Sequence, residues 1–160
     1  MGCVTASKTD KADANGKSKP KTGGHTLSEK EAEKMIADVK ADMRVITQVR
    51  NDPEPLKEAL DKGALEDMVK QVESDVGEGK IKVRRFGSVK YKLGDYAGGI
   101  GGIEVTYKDD SFYESPDGAR LTEPSGEKTT VIVATQKIKG RWKIVGFYSP
   151  ETKEPPGRSN

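Results

Sequence analysis

Residues 129–148 read TTVIVATQKIKGRWKIVGFY. Two runs rich in β-branched and aromatic residues flank Lys139-Gly140, a dipeptide suited to a tight turn. In the first run Val131, Val133 and Thr135 fall opposite Ile132, Ala134 and Gln136. In the second, Trp142, Ile144 and Gly146 fall opposite Val145 and Phe147. Period-two alternation of this kind belongs to antiparallel strands with one face on a core.

The same period extends back to residue 81. Ile81, Val83 and Arg85 alternate with Lys82 and Arg84; Val89, Tyr91 and Leu93 with Lys90 and Lys92; Ile103, Val105 and Tyr107 with Glu104 and Thr106. The run Gly98-Gly99-Ile100-Gly101-Gly102 leads into the last of these strands. It therefore reads as a hairpin or bulged strand entrance, since a phosphate cradle needs a helix to follow. Asp109-Asp110 reads as a polar turn. Ser115-Pro116-Asp117-Gly118 marks another, inside a long polar connection.

Before residue 80 the spacing is helical. Ala32, Met35, Ile36, Val39, Met43 and Ile46 follow a three-and-four pattern on one face. Ser28 and Glu31 form a capping-box pair, with Leu27 as staple against Ala32, so the helix is expected from Ser28 to about Val49. Asn51-Asp52-Pro53 ends it. A short helix is expected through Leu56, Ala59 and Leu60. A third runs from about Ala64 through Leu65, Met68, Val69 and Val72 and stops at Gly77 and Gly79. Helices first and antiparallel strands afterwards predict an α+β fold, with one long helix packed across a curved sheet.

The apolar fraction is only 32%, and the polar excess is concentrated in residues 1–26. Those residues carry five lysines against Asp10 and Asp13, a net +3, which leaves −1 on the rest of a +2 chain. Composition makes 1–26 a disordered basic tether, 27–149 the folded α+β domain, and 150–160 a disordered tail. Cys3 and His25 are the single cysteine and histidine, and both lie in the tether. The body therefore holds no disulfide, thiolate or histidine metal site, and no nucleophile triad. No cofactor, metal or catalytic set is expected. A body without net positive charge does not attract nucleic acid, so the basic stretch of Lys80, Lys82, Arg84, Arg85, Lys90 and Lys92 reads as a solvated strand face.

The element order over Leu27–Ser149 and the closing hairpin around Gly140-Arg141-Trp142-Lys143-Ile144 resemble the NTF2-like (cystatin-like α+β roll) superfamily. The resemblance implies a roll with a cavity between helix and sheet, a shape that hosts enzymes, ligand-binding modules and interaction domains. Tyr96, Tyr107, Tyr113, Trp142 and Tyr148 are candidates to line it, with Trp142 and Phe147 also read as core. NTF2-like enzymes use Asp, Tyr or His in that cavity. None of Asp95, Glu104, Asp109, Asp110 or Glu114 falls on an apolar strand face.

Met1-Gly2-Cys3 resembles a bacterial lipoprotein just past its signal peptide, which implies acylation of Cys3. Gly2 through Ser7 also resembles an N-myristoylation site with an adjacent palmitoylated cysteine, with Ala6 where that pattern has Ser or Thr. Two lipid chains, or one with the lysine cluster, anchor stably. The expectation is a membrane-tethered, non-catalytic binding module, a lipoprotein on the extracytoplasmic face of the bacterial cell envelope or, alternatively, a protein on the cytoplasmic face of a eukaryotic membrane. Its partner is a protein or a small apolar ligand. A small enzyme with a carboxylate or tyrosine in the cavity is the rival reading.

Overall fold

In the computed structural model, residues 26–151 are described. Ser28 caps the first helix by accepting from the backbone N–H of Glu31 at 3.0 Å. Helix α1 then runs Glu29–Gln48, α2 Leu56–Ala59 and α3 Lys62–Gly77. Asp61 caps α3. The strands are β1 Ile81–Val83, β2 Phe86–Ala97, β3 Ile100–Asp109, β4 Phe112–Glu114, β5 Glu127–Ile138 and β6 Arg141–Tyr148. The chain is an α+β fold.

Four strands form one antiparallel sheet in the order β2-β3-β5-β6, while β1 pairs with β4 in a separate two-stranded ladder. The Lys139-Gly140 turn is present, and of the two readings of Gly98–Gly102 the hairpin is the one formed. Gly98 and Gly99 have φ of +60° and +80° between the paired Ala97 and Ile100. Lys139 and Gly140 have φ of +53° and +83° between Ile138 and Arg141. Two consecutive positive φ values match the twist of the strands they join. The turn at Ser115–Gly118 is closed by Gly118 N–H donating to Ser115 O at 2.9 Å.

Strand β4 is absent from the sequence expectation, because three residues carry too little periodicity to register as a strand. Expected alternation also fails in β6. A bulge between the Ala134–Gly146 and Thr135–Ile144 pairs inserts Val145 as an extra residue. Phe147 consequently pairs with Val133 and joins the face of Trp142 and Ile144, not the face opposite them. Further bulges between Gly87 and Lys90 and between Leu93 and Tyr96 bend β2, so the sheet curves.

The core lies between α1 and the concave face. Met35, Val39 and Met43 of α1 meet Ile103 and Val105 of β3, Val133 of β5, and Trp142 and Ile144 of β6. Gly101 allows the close approach: a Cβ there would collide with the Met35 sulfur. Helix α2 inserts Leu56 and Ala59, both fully buried, and Asp61 N–H donates to Ile144 O at 2.9 Å, fixing the start of α3 beside β6. The predicted capping box is only half formed. Glu31 turns its carboxylate toward Trp142 and Lys137 in place of its own helix end.

Candidate functional site

Helices α1 and α3 do not close fully on the sheet. Between them and strands β1, β2, β3, β5 and β6 lies a cleft of about 430 Å³. Its apolar walls are Met43 and Ile46 from α1, Met68 from α3, Phe86 from β2, Val131 from β5, and Val145 and Phe147 from β6. The β6 bulge matters here, since it brings Val145, Gly146, Phe147 and Tyr148 all to the same opening. Gly63 and Asp67 form an exposed rim on α3.

The cations of the cleft, Lys82 and Arg84, lie toward the Asp75 end of α3. Lys82 lies on β1 and Arg84 just past its end. Both line the cleft. Arg84 is only 7% exposed, and its Nη1 is buried with no hydrogen-bond partner among the described residues. Asp75 is the nearby acid, yet no Arg84–Asp75 ion pair forms. Gln71 Nε2 lies 3.4 Å from Asp75 Oδ1, and Asp75 Oδ2 is also buried without a hydrogen-bond partner among the described residues. Burial depresses the Arg84 guanidinium more than the Asp75 carboxylate raises it. Burial, followed by the field of Arg84, likewise lowers Lys82. The solvated-face expectation is therefore corrected for these two residues, though it holds for the exposed Arg85, Lys90 and Lys92. Two cations in low-dielectric surroundings with little compensation are costly unless something anionic meets them.

Tyr107 and Tyr148 are brought to this cleft. Tyr107 packs its ring 4.3 Å from that of Phe86, and burial pushes its phenol up to about 12, so it stays protonated. The Tyr148 ring lies over Gly146, where an added Cβ would come within 2.9 Å of it. The other three pocket candidates lie elsewhere. Trp142 is 2% exposed in the core, Tyr96 meets it edge-on at 6.3 Å, and Tyr113 lies beneath the ammonium groups of Lys80 and Lys82 at 4.5 and 5.8 Å. Gly2 and Cys3 lie outside the described residues.

Two buried carboxylates, Asp75 and Asp42, escaped the sequence reading. Asp42 of α1 is fully buried, and its carboxyl is pushed up to about 7, chiefly by burial against the opposing pull of Arg141. Arg141 Nη1 sits 2.6 Å from Asp42 Oδ1 as an ion pair outside hydrogen-bonding alignment; otherwise both oxygens lack partners among the described residues. The available signal was a charge three residues after Val39, within the apolar stripe. Asp42 does not line the cleft, where Asp67 on the rim is the sole carboxylate among the described residues. No group of three or more metal-ligating side chains gathers among the described residues. No helix among them is long and apolar enough to cross a membrane.

No family model matches the chain, and no curated protein matches it. Among solved structures it is similar to the intermembrane space region of the chloroplast protein ARC6. The match has a TM-score of 0.57 at 16% identity and covers 77% of this chain and 96% of the other. The likeness is one of fold.

Proposed function

We propose that this protein is a non-catalytic binding module, built as an NTF2-like roll and held at a membrane surface by its N-terminal segment. The observation that carries the binding reading is the cleft itself. A preformed concavity with apolar walls and a few converging polar groups is the usual form of a ligand site, and about 430 Å³ falls within the usual range of roughly 300–1,000 Å³. The acid with a raised pKa lies outside that cleft, which favours binding over general-base chemistry.

The membrane reading draws on Gly2, Cys3 and the lysines that follow them. The fold's likeness to a region that lies between two chloroplast membranes is compatible with work beside a bilayer. A bacterial lipoprotein is the form preferred, with a dual-acylated eukaryotic protein as the alternative.

Two measurements test the two halves. Intact mass of the N-terminal peptide from native membranes should show a diacylglyceryl adduct on Cys3, or myristate on Gly2 for the alternative. An unmodified peptide removes the anchor. Titration of the full chain with the neutral apolar dye Nile red should give saturable emission that is lost in Val131→Phe, which fills the cleft. Undiminished emission in that variant removes the cleft as the binding site.

A further inference from the structure

We infer that the cleft is selective for a single-chain amphipath carrying a compact anionic head, a carboxylate or a phosphate ester, with the head seated on Arg84 and Lys82 and the chain lying along Ile46, Val131 and Phe147. This deepens the binding-module reading and rests on it.

Three observations converge. The apolar walls and the cationic end belong to one continuous cleft, so a ligand that fills it meets both. Arg84 is more than nine-tenths buried, and its Nη1–H has no acceptor among the described residues. A guanidinium serving only the fold would be expected to spend its buried donors on protein acceptors. The charges facing the site also leave the cations under-compensated. Asp67 is exposed at the rim, where solvent screens it; Asp75 forms no ion pair with Arg84, and Asp109 and Asp75 raise Lys82 less than burial and Arg84 lower it. A carboxylate or phosphate oxygen forms charge-assisted hydrogen bonds with a guanidinium, and these gain strength in a dry site. The Tyr107 phenol on the same wall remains a neutral donor, so it does not repel an anion.

The head is compact because little of Arg84 is reachable, and the body is apolar because Ile46, Val131 and Phe147 line the same cleft. A cationic amphipath would place like charges together, and a neutral one would leave Arg84 unsatisfied.

The test uses the full chain and four probes with the same tail: decanoate, decyl phosphate, decanol and decyltrimethylammonium. Calorimetric titration should show decanoate or decyl phosphate binding at least about ten-fold more tightly than decanol, with the ammonium weaker still. Whichever anion is tighter identifies the head. In Arg84→Met the anion should fall to the level of decanol, while decanol binding is retained. Lys82→Met should reduce the preference by a smaller factor. If decanol equals the anions in the unaltered protein, the head-group inference is overturned while the cleft reading stands; this comparison needs no variant to fold. If none of the four binds and Nile red does not bind either, both are overturned.

Discussion

The indole Nε1–H of Trp142 donates to Oε2 of Glu31 at 2.8 Å, tying the first turn of α1 to the start of β6. Lys137 Nζ lies 2.9 Å from the same oxygen, and that contact leads the causes that hold the Glu31 carboxyl below its usual range. One carboxylate thus joins helix, hairpin and core tryptophan. Glu31→Ala leaves the indole N–H of a residue only 2% exposed without its acceptor, a loss of about 1–3 kcal/mol. Glu31→Gln keeps an acceptor and should cost less. Urea unfolding followed by Trp142 fluorescence checks the order; equal losses in the two variants would show that the charge, not the acceptor, matters.

Asp42 gives stability a pH dependence of defined sign. Its folded carboxyl titrates at about 7, against an ordinary 3.8. Between those values the folded state holds a proton that the unfolded chain has released. Stability contributed by this group therefore falls as pH rises through that window and levels off above about 7, a change on the order of a few kcal/mol. Asp42→Asn should flatten that slope. Urea midpoints at about pH 5 and about pH 8 decide it: a slope unchanged in the variant assigns the dependence to other groups.

Gly101 and Met35 form a size-matched pair. Gly101→Ala drives a methyl into the Met35 sulfur and should cost roughly 1–3 kcal/mol. Met35→Ala vacates that space at its own cost. The double variant should be less destabilised than the sum of the two singles. Additive losses would mean that the glycine is needed for something other than the approach of α1.

Gly146→Ala tests the cleft wall formed by Tyr148. The new Cβ would come within 2.9 Å of the ring, so the ring must swing away. Nile red affinity should drop, while stability changes by about 1 kcal/mol or less, because Tyr148 is only partly buried. A large stability loss with unchanged dye binding would contradict this placement.

Much of the fold is legible in the residues. Ser28, the α1 stripe and the Lys139-Gly140 turn each carry a local signature, and each element stands where its signature points. What escaped has common physical causes. The β6 bulge follows from how β5 and β6 are paired, so period-two counting put Phe147 on the wrong face. Strand β4 is too short to alternate visibly. Arg84 sits in a run of basic residues that looks like any solvated strand; its burial depends on α3 folding back over the next element, β1, a tertiary contact that period-two counting does not register. Aromatic content suggested a pocket, but which rings line it was decided by tertiary packing: Tyr107 and Tyr148 do, while Trp142 fills the core.

The central claim is that the cleft between α1, α3 and the sheet is where this domain binds. Amide chemical-shift mapping of the full chain during a decanol titration tests it most directly, since a neutral probe makes no demand on the head-group inference. The account predicts shifts at Gly63, Gly146 and Phe147, which line the cleft, and none at Lys90 and Lys128 on the outer face of the sheet. Shifts confined to the outer face, with Gly63 and Gly146 unmoved, would contradict it.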